Sequence, residues 1–460
     1  MDLTAVRRGA CTYAEVPGSL LPVRYALSEY VSCDGVDPFG PPSATDEGCR
    51  RALAMLLLYP IATDRQPKRV PCVTYSLAGL NLVVALWWLL GTGEDGDVLR
   101  NLAFVPGQPT WYGVLTSMFM HGGWAHLLGN MLFLVLFGRN VEDAMGHVLF
   151  ACSYLVCGVA AMVLHLAVTV AFAPDQLGVA TVGASGAISG LLGLFVVRFF
   201  RTKITIWYLV LLLFIRMGTF QVSSVAGIGL WFAMQLFSGM LDIGSGAGGV
   251  AYWAHIGGFL FGVGYALLVG MEGEGSTEYD LGDAQRSASL GNWRNALTYA
   301  KQVLQREPDN AEAHFLAAQG FAQNQEPEDA EPHFLRALEL SLGQSNNARA
   351  AQVYAALFAA LPQAHLESRQ HFAVAAVVAR AGSYADAAAA YERIAKGAKN
   401  QHDWEAALVR LGQICLRFTG DLPRAKAAFQ AVLRRNPDSE LATHARAGLQ
   451  RVEAELKAQT

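Results

Sequence analysis

Between residues 72 and 271 the chain alternates long uncharged apolar runs with short charged or glycine-rich breaks, and the pattern changes on either side of that region. A helix crossing a bilayer needs about 20 apolar residues for a hydrocarbon core about 30 Å thick. The segments 72–91 and 148–172, one centred on 178–197, one between Arg216 and Asp242, and one from Ile243 to Met271 meet that length. The stretch 101–138 contains Pro106, Pro109 and the Gly122-Gly123 pair, and reads as an interfacial loop followed by a further span from about Trp124 to Gly138. Six spans result. The segment 204–215 (ITIWYLVLLLFI) is equally apolar, but its 12 residues make only about 18 Å of helix. It is expected at the interface or packed on the bundle, not across it.

After Gly270 the pattern becomes that of a water-soluble helical domain with a repeat. Ala296, Ala300 and Val303 recur 34 residues later as Ala330, Phe334 and Ala337; related units follow at Ala387, Tyr391 and Ile394, then at Ala425, Phe429 and Val432. Turns at Gly291-Asn292, Gly382-Ser383 and Gly420-Asp421 precede three of these units. The period and pattern resemble tetratricopeptide repeats, which stack helix pairs into a solenoid with a concave binding face. The competing reading is a generic alanine-rich helical bundle. The expected organisation is all-α: a flexible tail at 1–54, a membrane domain at 55–271, a linker at 272–280 and a repeat domain at 281–460.

Composition agrees with this division. Charged residues make up 16% of the chain, against about 25% in soluble domains. The net charge of −4 offers no basic footprint for nucleic acid. Seven cysteines, with no CxxC and no histidine at metal spacing, argue against a zinc site or a disulfide framework. Arg7 and Arg8 are not followed by a continuous apolar run, so a cleaved signal peptide is not expected. Met55 is a candidate alternative translation start. Loop charge sets the orientation. Arg65, Lys68, Arg69, Arg139, Arg198, Arg201, Lys203 and Arg216 fall on one side, and Arg100, Glu94, Asp95, Asp97, Asp175 and Asp242 on the other. Both termini are therefore expected in the cytoplasm.

The candidate chemistry lies inside the apolar region. Ser185 sits in Gly183-Ala184-Ser185-Gly186; on its own this is as well explained by close helix packing, which small residues permit. His255, in Ala254-His255-Ile256-Gly257-Gly258, is more informative, because ionisable groups in membrane segments are costly and usually functional. Gly258, Phe259, Gly262 and Ala266 share its helix face, so this helix can lie tightly against the glycine face of the Ser185 helix. Ser185 and His255 would then meet as an activated serine nucleophile. His126 and Asn130, at i and i+4, share a helix face and can both donate hydrogen bonds to an oxyanion. A metal site on His121 and His126 competes less well, since a Gly-Gly pair separates them and no carboxylate is near. His147 and His165 read as interface or packing residues. Span parity adds a constraint: His126, Ser185 and His255 each open an alternate span, so all three lie at one depth.

The block 115–146, the GASG motif and AHIGGFLFG, in that order, resemble a rhomboid protease of bacterial type. The resemblance covers about 65–271. It implies a six-helix rhomboid bundle performing intramembrane proteolysis with Ser185 as nucleophile and His255 as base. It also implies an oxyanion site from His126, Asn130 and the Ser185 N–H, with His121, Gly183, Gly186 and Gly257 supporting. Gly138, Arg139, Glu142 and Gly146 match the family's cytoplasmic turn and read as structural. Some rhomboids place an aromatic ring four residues after the serine, against the histidine; here that residue is Ser189. Either another ring, Tyr252 or Trp253, orients His255 or its orientation is looser, and the sequence does not decide between them. No carboxylate suggests itself as a third member, so a dyad is expected, without metal or cofactor. The implied partners are single-pass or polytopic membrane-protein substrates, membrane lipids, and an unknown cytoplasmic protein or peptide on the repeats. The implied location is a bacterial inner membrane, with the site opening outward. The alternatives are a catalytically silent rhomboid-like scaffold, which should have lost Ser185 or His255, and a transporter with a His126–His255 proton path, which should carry carboxylates or internal repeats in its spans.

Overall fold

The computed structural model describes residues 24–25, 55–91, 98, 101–211, 215–245 and 250–459. The chain is mostly helical and divides into two compact units, Met1–Gly275 and Ser276–Thr460. Apart from Arg24 and Tyr25, the expected tail at 1–54 lies outside the described residues, as do Glu94, Asp95, Asp97 and Arg100.

The first unit departs from an all-α reading. Strands β1 (Arg24–Tyr25), β2 (Met55–Thr63), β3 (Lys203–Leu211) and β4 (Ile215–Ser223) form one antiparallel sheet in that order. The segment 204–215, expected as a short helix, is therefore mostly strand. Its Ile, Thr, Trp, Tyr and Val content favours a pleated, half-buried surface. β2 and β4 supply the pairing, with Tyr59 opposite Trp207 and Phe220 opposite Ile206. The same sheet shortens the span expected between Arg216 and Asp242, because β4 takes Ile215–Ser223 and the helix begins only at Ser224.

The helices of this unit are α1 (Cys72–Leu86), α2 (Trp111–Thr116), α3 (Trp124–Phe133), α4 (Arg139–Met145), α5 (His147–Phe172), α6 (Ser185–Arg198), α7 (Ser224–Ser245) and α8 (Tyr252–Leu268). A wide π turn at Leu134–Gly138 joins α3 to α4, and another carries α1 on to Gly91. Three stretches among the described residues are long and apolar enough to cross a bilayer alone: Cys72–Gly91, His147–Phe172 and Ser224–Ile243. α6 has only 14 residues, or about 21 Å of helix. Every residue from Gly186 to Phe195 is buried, as befits a helix that is apolar all round and enclosed by protein.

α6 and α8 touch backbone to backbone. A Cβ on Gly258 would lie 2.0 Å from the Gly186 carbonyl oxygen, and one on Gly262 2.1 Å from that of Gly190. This is the close approach expected from the small residues on the His255 face. Gly257 is different. It faces α5, where a Cβ would meet Leu164 Cβ at 2.7 Å, so it supports the packing of α8 on α5 and does not face Ser185.

α1 shows how distant residues finish a helix end. Its N-cap is Pro71, which offers no side-chain acceptor, so the first N–H groups need one from elsewhere. Glu142, buried on α4, accepts from Val73 N (2.9 Å), Thr74 N (2.8 Å) and Thr74 Oγ1 (2.6 Å), and His147 Nδ1 lies 2.6 Å from it. Cys72, Glu142 and His147 thus form a cluster whose ligand-type atoms lie within 4.8 Å of one another. The carboxylate has about four lone-pair directions; those four contacts occupy them, and Cys72 Sγ lies a further 3.8 Å from Oε1. The cluster is a helix cap that joins α1, α4 and α5, which gives His147 a structural partner the sequence did not suggest.

The second unit is a run of helix pairs. The expected linker at 272–280 is itself helical, since α9 (Met271–Ser289) is unbroken. There follow α10 (Trp293–Arg306), α11 (Ala311–Gln323), α12 (Pro327–Gly343), α13 (Asn347–Ala360), α14 (Ser368–Arg380), α15 (Tyr384–Gly397), α16 (Gln401–Ile414), α17 (Leu422–Arg435) and α18 (Ala442–Gln459). The recurring positions Ala296, Ala300 and Val303 on α10 and Ala330, Phe334 and Ala337 on α12 are all buried. Side chains of Asn292, Asn310, Asn346, Asn400 and Asp421 cap five of these helices, as short polar acceptors do. Left-handed residues close the preceding helices at Gly291, Gly382 and Gly420, and Gln325 adopts the same conformation (φ 64°) 34 residues after Gly291.

Candidate active site

The candidate site gathers at one end of the membrane unit, where α3, α6 and α8 all begin. Gly183 creates the entry to α6. Its φ of +125° is one that L side chains avoid, and a Cβ there would stand 2.7 Å from His126 Cε1 and 2.8 Å from His126 Nε2. The imidazole edge of His126 therefore rests on the backbone two residues before Ser185. Ser185 is the first residue of α6, and Ala184 provides no side-chain cap. Its N–H belongs to the first turn, whose donors have no partner inside the helix.

Ser185 and His255 meet. Ser185 Oγ is 2.8 Å from His255 Nε2, a hydrogen bond across 70 positions of sequence. Both side chains are half-buried. Asn130 Nδ2 donates to His121 Nε2 at 3.0 Å, and His121 Nδ1 lies 3.3 Å from the Phe119 carbonyl. His121 thereby holds Asn130 in place. The Asn130 amide nitrogen carries a second hydrogen, and it lies 3.6 Å from where a Gly183 Cβ would be. The predicted set is thus gathered: Ser185 with His255, and His126, Asn130 and His121 around Gly183. Gly186 serves two contacts: a Cβ there would meet Ala161 Cβ of α5 at 2.7 Å, and its carbonyl lies against Gly258 of α8.

Two residues at the site were not foreseen. Gln235 on α7 is buried, and its Oε1 lies 2.7 Å from His255 Nδ1. Trp231, one turn earlier, has its ring 6.3 Å from the imidazole. Tyr252 or Trp253 was expected as the aromatic neighbour; Trp253 lies instead beside Gly239, and the ring beside His255 comes from α7. Ser189 donates to the Ser185 carbonyl at 2.7 Å, which ties its hydroxyl to its own helix. The available signal for Gln235 was an amide inside an apolar helix, a group that is rarely idle there. Of the two histidines read as interface or packing residues, His165 is buried and bonds Thr181 Oγ1 at 3.0 Å.

The second unit presents a surface hollow of about 460 Å³. Phe372, Tyr391 and Ile414 line it together with Arg380, Arg410 and Arg417, and no acidic residue is among its lining. Proximity in the fold assembles this basic, aromatic pattern from α14, α15 and the end of α16; sequence spacing did not reveal it.

Comparison with known proteins places both units. Residues 108–272 match the family model of the rhomboid domain, and residues 279–341 and 406–439 match models of the tetratricopeptide repeat. The chain is 30% identical to Rhomboid-like protein 11, chloroplastic, of Arabidopsis thaliana, over 40% of this chain and 61% of that protein. It is 31% identical to the protein YdcA of Bacillus subtilis, over 27% of this chain and 61% of that one. The chain thus spans less than two thirds of the length of these curated relatives, and they do not single out a bacterial type. Among solved structures, a thermophilic TPR protein of Thermus thermophilus aligns with 38% of this chain and 99% of its own length, at 16% identity and a TM-score of 0.19. Along the chain, a segment that matches the rhomboid domain is thus followed by segments that match tetratricopeptide repeats.

Proposed function

We propose that the chain is an intramembrane serine endopeptidase that hydrolyses peptide bonds in or near transmembrane segments. The carrying observation is the 2.8 Å contact between Ser185 Oγ and His255 Nε2. A helical substrate hides its carbonyls in hydrogen bonds, so the scissile segment unwinds before it reacts. Ser185 Oγ attacks the carbonyl carbon while His255 Nε2 takes the hydroxyl proton. The resulting oxyanion accepts hydrogen bonds from the Ser185 N–H, His126 and Asn130; one such donor is typically worth about 2.7–4 kcal/mol. His255 then returns the proton to the leaving amine, and a water molecule hydrolyses the acyl-enzyme by the same path in reverse.

In this proposal the membrane unit is a bundle of six embedded helices, with the short α6 enclosed by its neighbours and α8 packed against it on one side. Loop charge puts both termini on the cytoplasmic side and opens the site to the opposite one. Rhomboid-like protein 6 of Arabidopsis is described as mitochondrial and protein 11 as chloroplastic, so relatives are named for more than one organelle. The repeat domain binds a protein partner, and its arginine-rimmed hollow suits an acidic peptide. A scaffold that binds membrane clients without cutting them is the second reading, favoured by the rhomboid-like names of most relatives.

The test is cleavage of a single-span substrate in reconstituted membranes. Ser185→Ala and His255→Ala should each lower the rate by about 10⁴-fold or more, as loss of a catalytic serine or its base does elsewhere. Unchanged cleavage by Ser185→Ala would sink the protease reading. A wild-type protein that binds the substrate but never cuts it would establish the scaffold.

A further inference from the structure

α7 packs on its neighbours through a narrow stripe. Ser224, Ile228, Gln235 and Gly239 are its buried positions, while Val225, Leu230, Phe237, Met240 and Leu241 are exposed. Every buried member of the stripe is small or apolar except Gln235, which holds an uncharged amide at the centre of the contact. Burying such an amide is unfavourable unless it is hydrogen-bonded, and its partner is the ring nitrogen of His255 that faces away from Ser185.

We infer that Gln235 is a positioning residue that makes the Ser185–His255 pair a Ser-His-Gln triad. This inference rests on the protease reading of the site. A neutral imidazole carries one N–H and one lone pair, and the partner of one nitrogen decides which it is. With Gln235 Oε1 accepting at 2.7 Å, the hydrogen resides on Nδ1. Nε2 then presents its lone pair to Ser185 Oγ–H, the arrangement needed to remove a proton. The reversed amide would place its N–H₂ against Nδ1, put the hydrogen on Nε2 and aim it at Ser185, which blocks proton removal. The amide orientation and the tautomer are one coupled choice. A carboxylate would impose the same choice with a charge; glutamine imposes it without placing an anion in a membrane-embedded site. Trp231 of the same helix sets its ring 6.3 Å from the imidazole, so α7 supplies both the acceptor and a neighbouring ring.

The experiment uses full-length protein in detergent or nanodiscs. Gln235→Met keeps the length and apolar packing but removes the acceptor; Gln235→Glu keeps an acceptor. kcat and KM for the single-span substrate are measured alongside ¹⁵N NMR of the imidazole. Gln235→Met should lower kcat about tenfold, the worth of one ordinary hydrogen bond, with KM unchanged, and Gln235→Glu should recover most of it. The wild-type spectrum should show a protonated Nδ1 and an unprotonated Nε2, with a tautomer mixture in Gln235→Met. A wild-type Nε2–H tautomer, or a Gln235→Met enzyme with wild-type kcat, overturns the inference. If the wild type never cleaves yet shows Nδ1–H that Gln235→Met abolishes, the protease reading fails while the positioning role stands.

Discussion

Glycine is used in opposite ways in the two units. Around Phe429 in the repeat domain, Gly412 and Gly448 make room for a ring: a Cβ on either would lie 2.6 Å or less from the phenyl carbons. Between α6 and α8 the glycines make room for another backbone, with Gly258 against Gly186 and Gly262 against Gly190. The first arrangement gains from removing a large apolar side chain from water. In lipid that gain is absent, and helices associate through close packing and interhelical hydrogen bonds. The tight contact is what brings the starts of α6 and α8 together, and with them Ser185 and His255. The repeat domain is built by burial, and the candidate active site is a by-product of contact without burial's driving force.

The largest way to break this comparison is Phe429→Ala. The ring is fully buried, and its loss should cost the repeat domain about 3–5 kcal/mol, read as an earlier unfolding transition in urea, with cleavage by the membrane unit retained. Gly258→Leu should cost about 1–3 kcal/mol through overpacking. Its signature differs: a lower melting temperature in detergent together with loss of cleavage, because α8 must move away from Ser185. Gly264→Leu, at an exposed position of the same helix where a Cβ would meet no atom within 4 Å, should change neither; a Gly264 variant as damaging as Gly258→Leu would refute the packing account.

Two smaller tests sharpen the repeat-domain side. His371 is buried against Tyr354, with its ring stacked on Phe358. Burial first, then Arg393 and His365, push it down to about 4. Its folded value lies below its unfolded one, so the contribution is complete above about pH 6.5 and is lost as pH falls toward 4. The repeat-domain transition should weaken across that window, and His371→Phe should flatten the dependence. A slope unchanged in His371→Phe would assign the effect to other groups. The smallest expected effect is Gln325→Gly, which relieves a left-handed side chain worth about 1 kcal/mol. A small rise in the melting temperature of the repeat domain checks it.

Local patterns were enough to read much of this. Helix-face spacing around His255 foretold its contact with the glycines of α6, and the 34-residue offset foretold the equivalence of α10 and α12, because both follow from the period of a helix. Asn130 on the same face as His126 was legible for the same reason, whereas His121, outside that helix, came only with the resemblance to rhomboid proteases. The segment 204–215 misled, since short apolar runs fit strand and helix alike and only the presence of β2 and β4 on either side settles the choice. Glu142 was recognised as structural, but its use as the cap of α1, 68 positions away, depends on where the helices come to rest.

By itself the sequence determined which residues share a helix face and where the apolar runs lie, since these follow from period and hydrophobicity along one chain. The expected six spans are a different matter, because only three of the described stretches are long and apolar enough to cross a bilayer alone. Only the tertiary structure decided what stands behind His255. Tyr252 and Trp253 are its neighbours in sequence, but the acceptor and the ring both come from α7, because α8 turns His255 Nδ1 toward the buried stripe that holds Trp231 and Gln235. Hydrogen bonds between helices are set by packing, and packing is a property of the whole bundle.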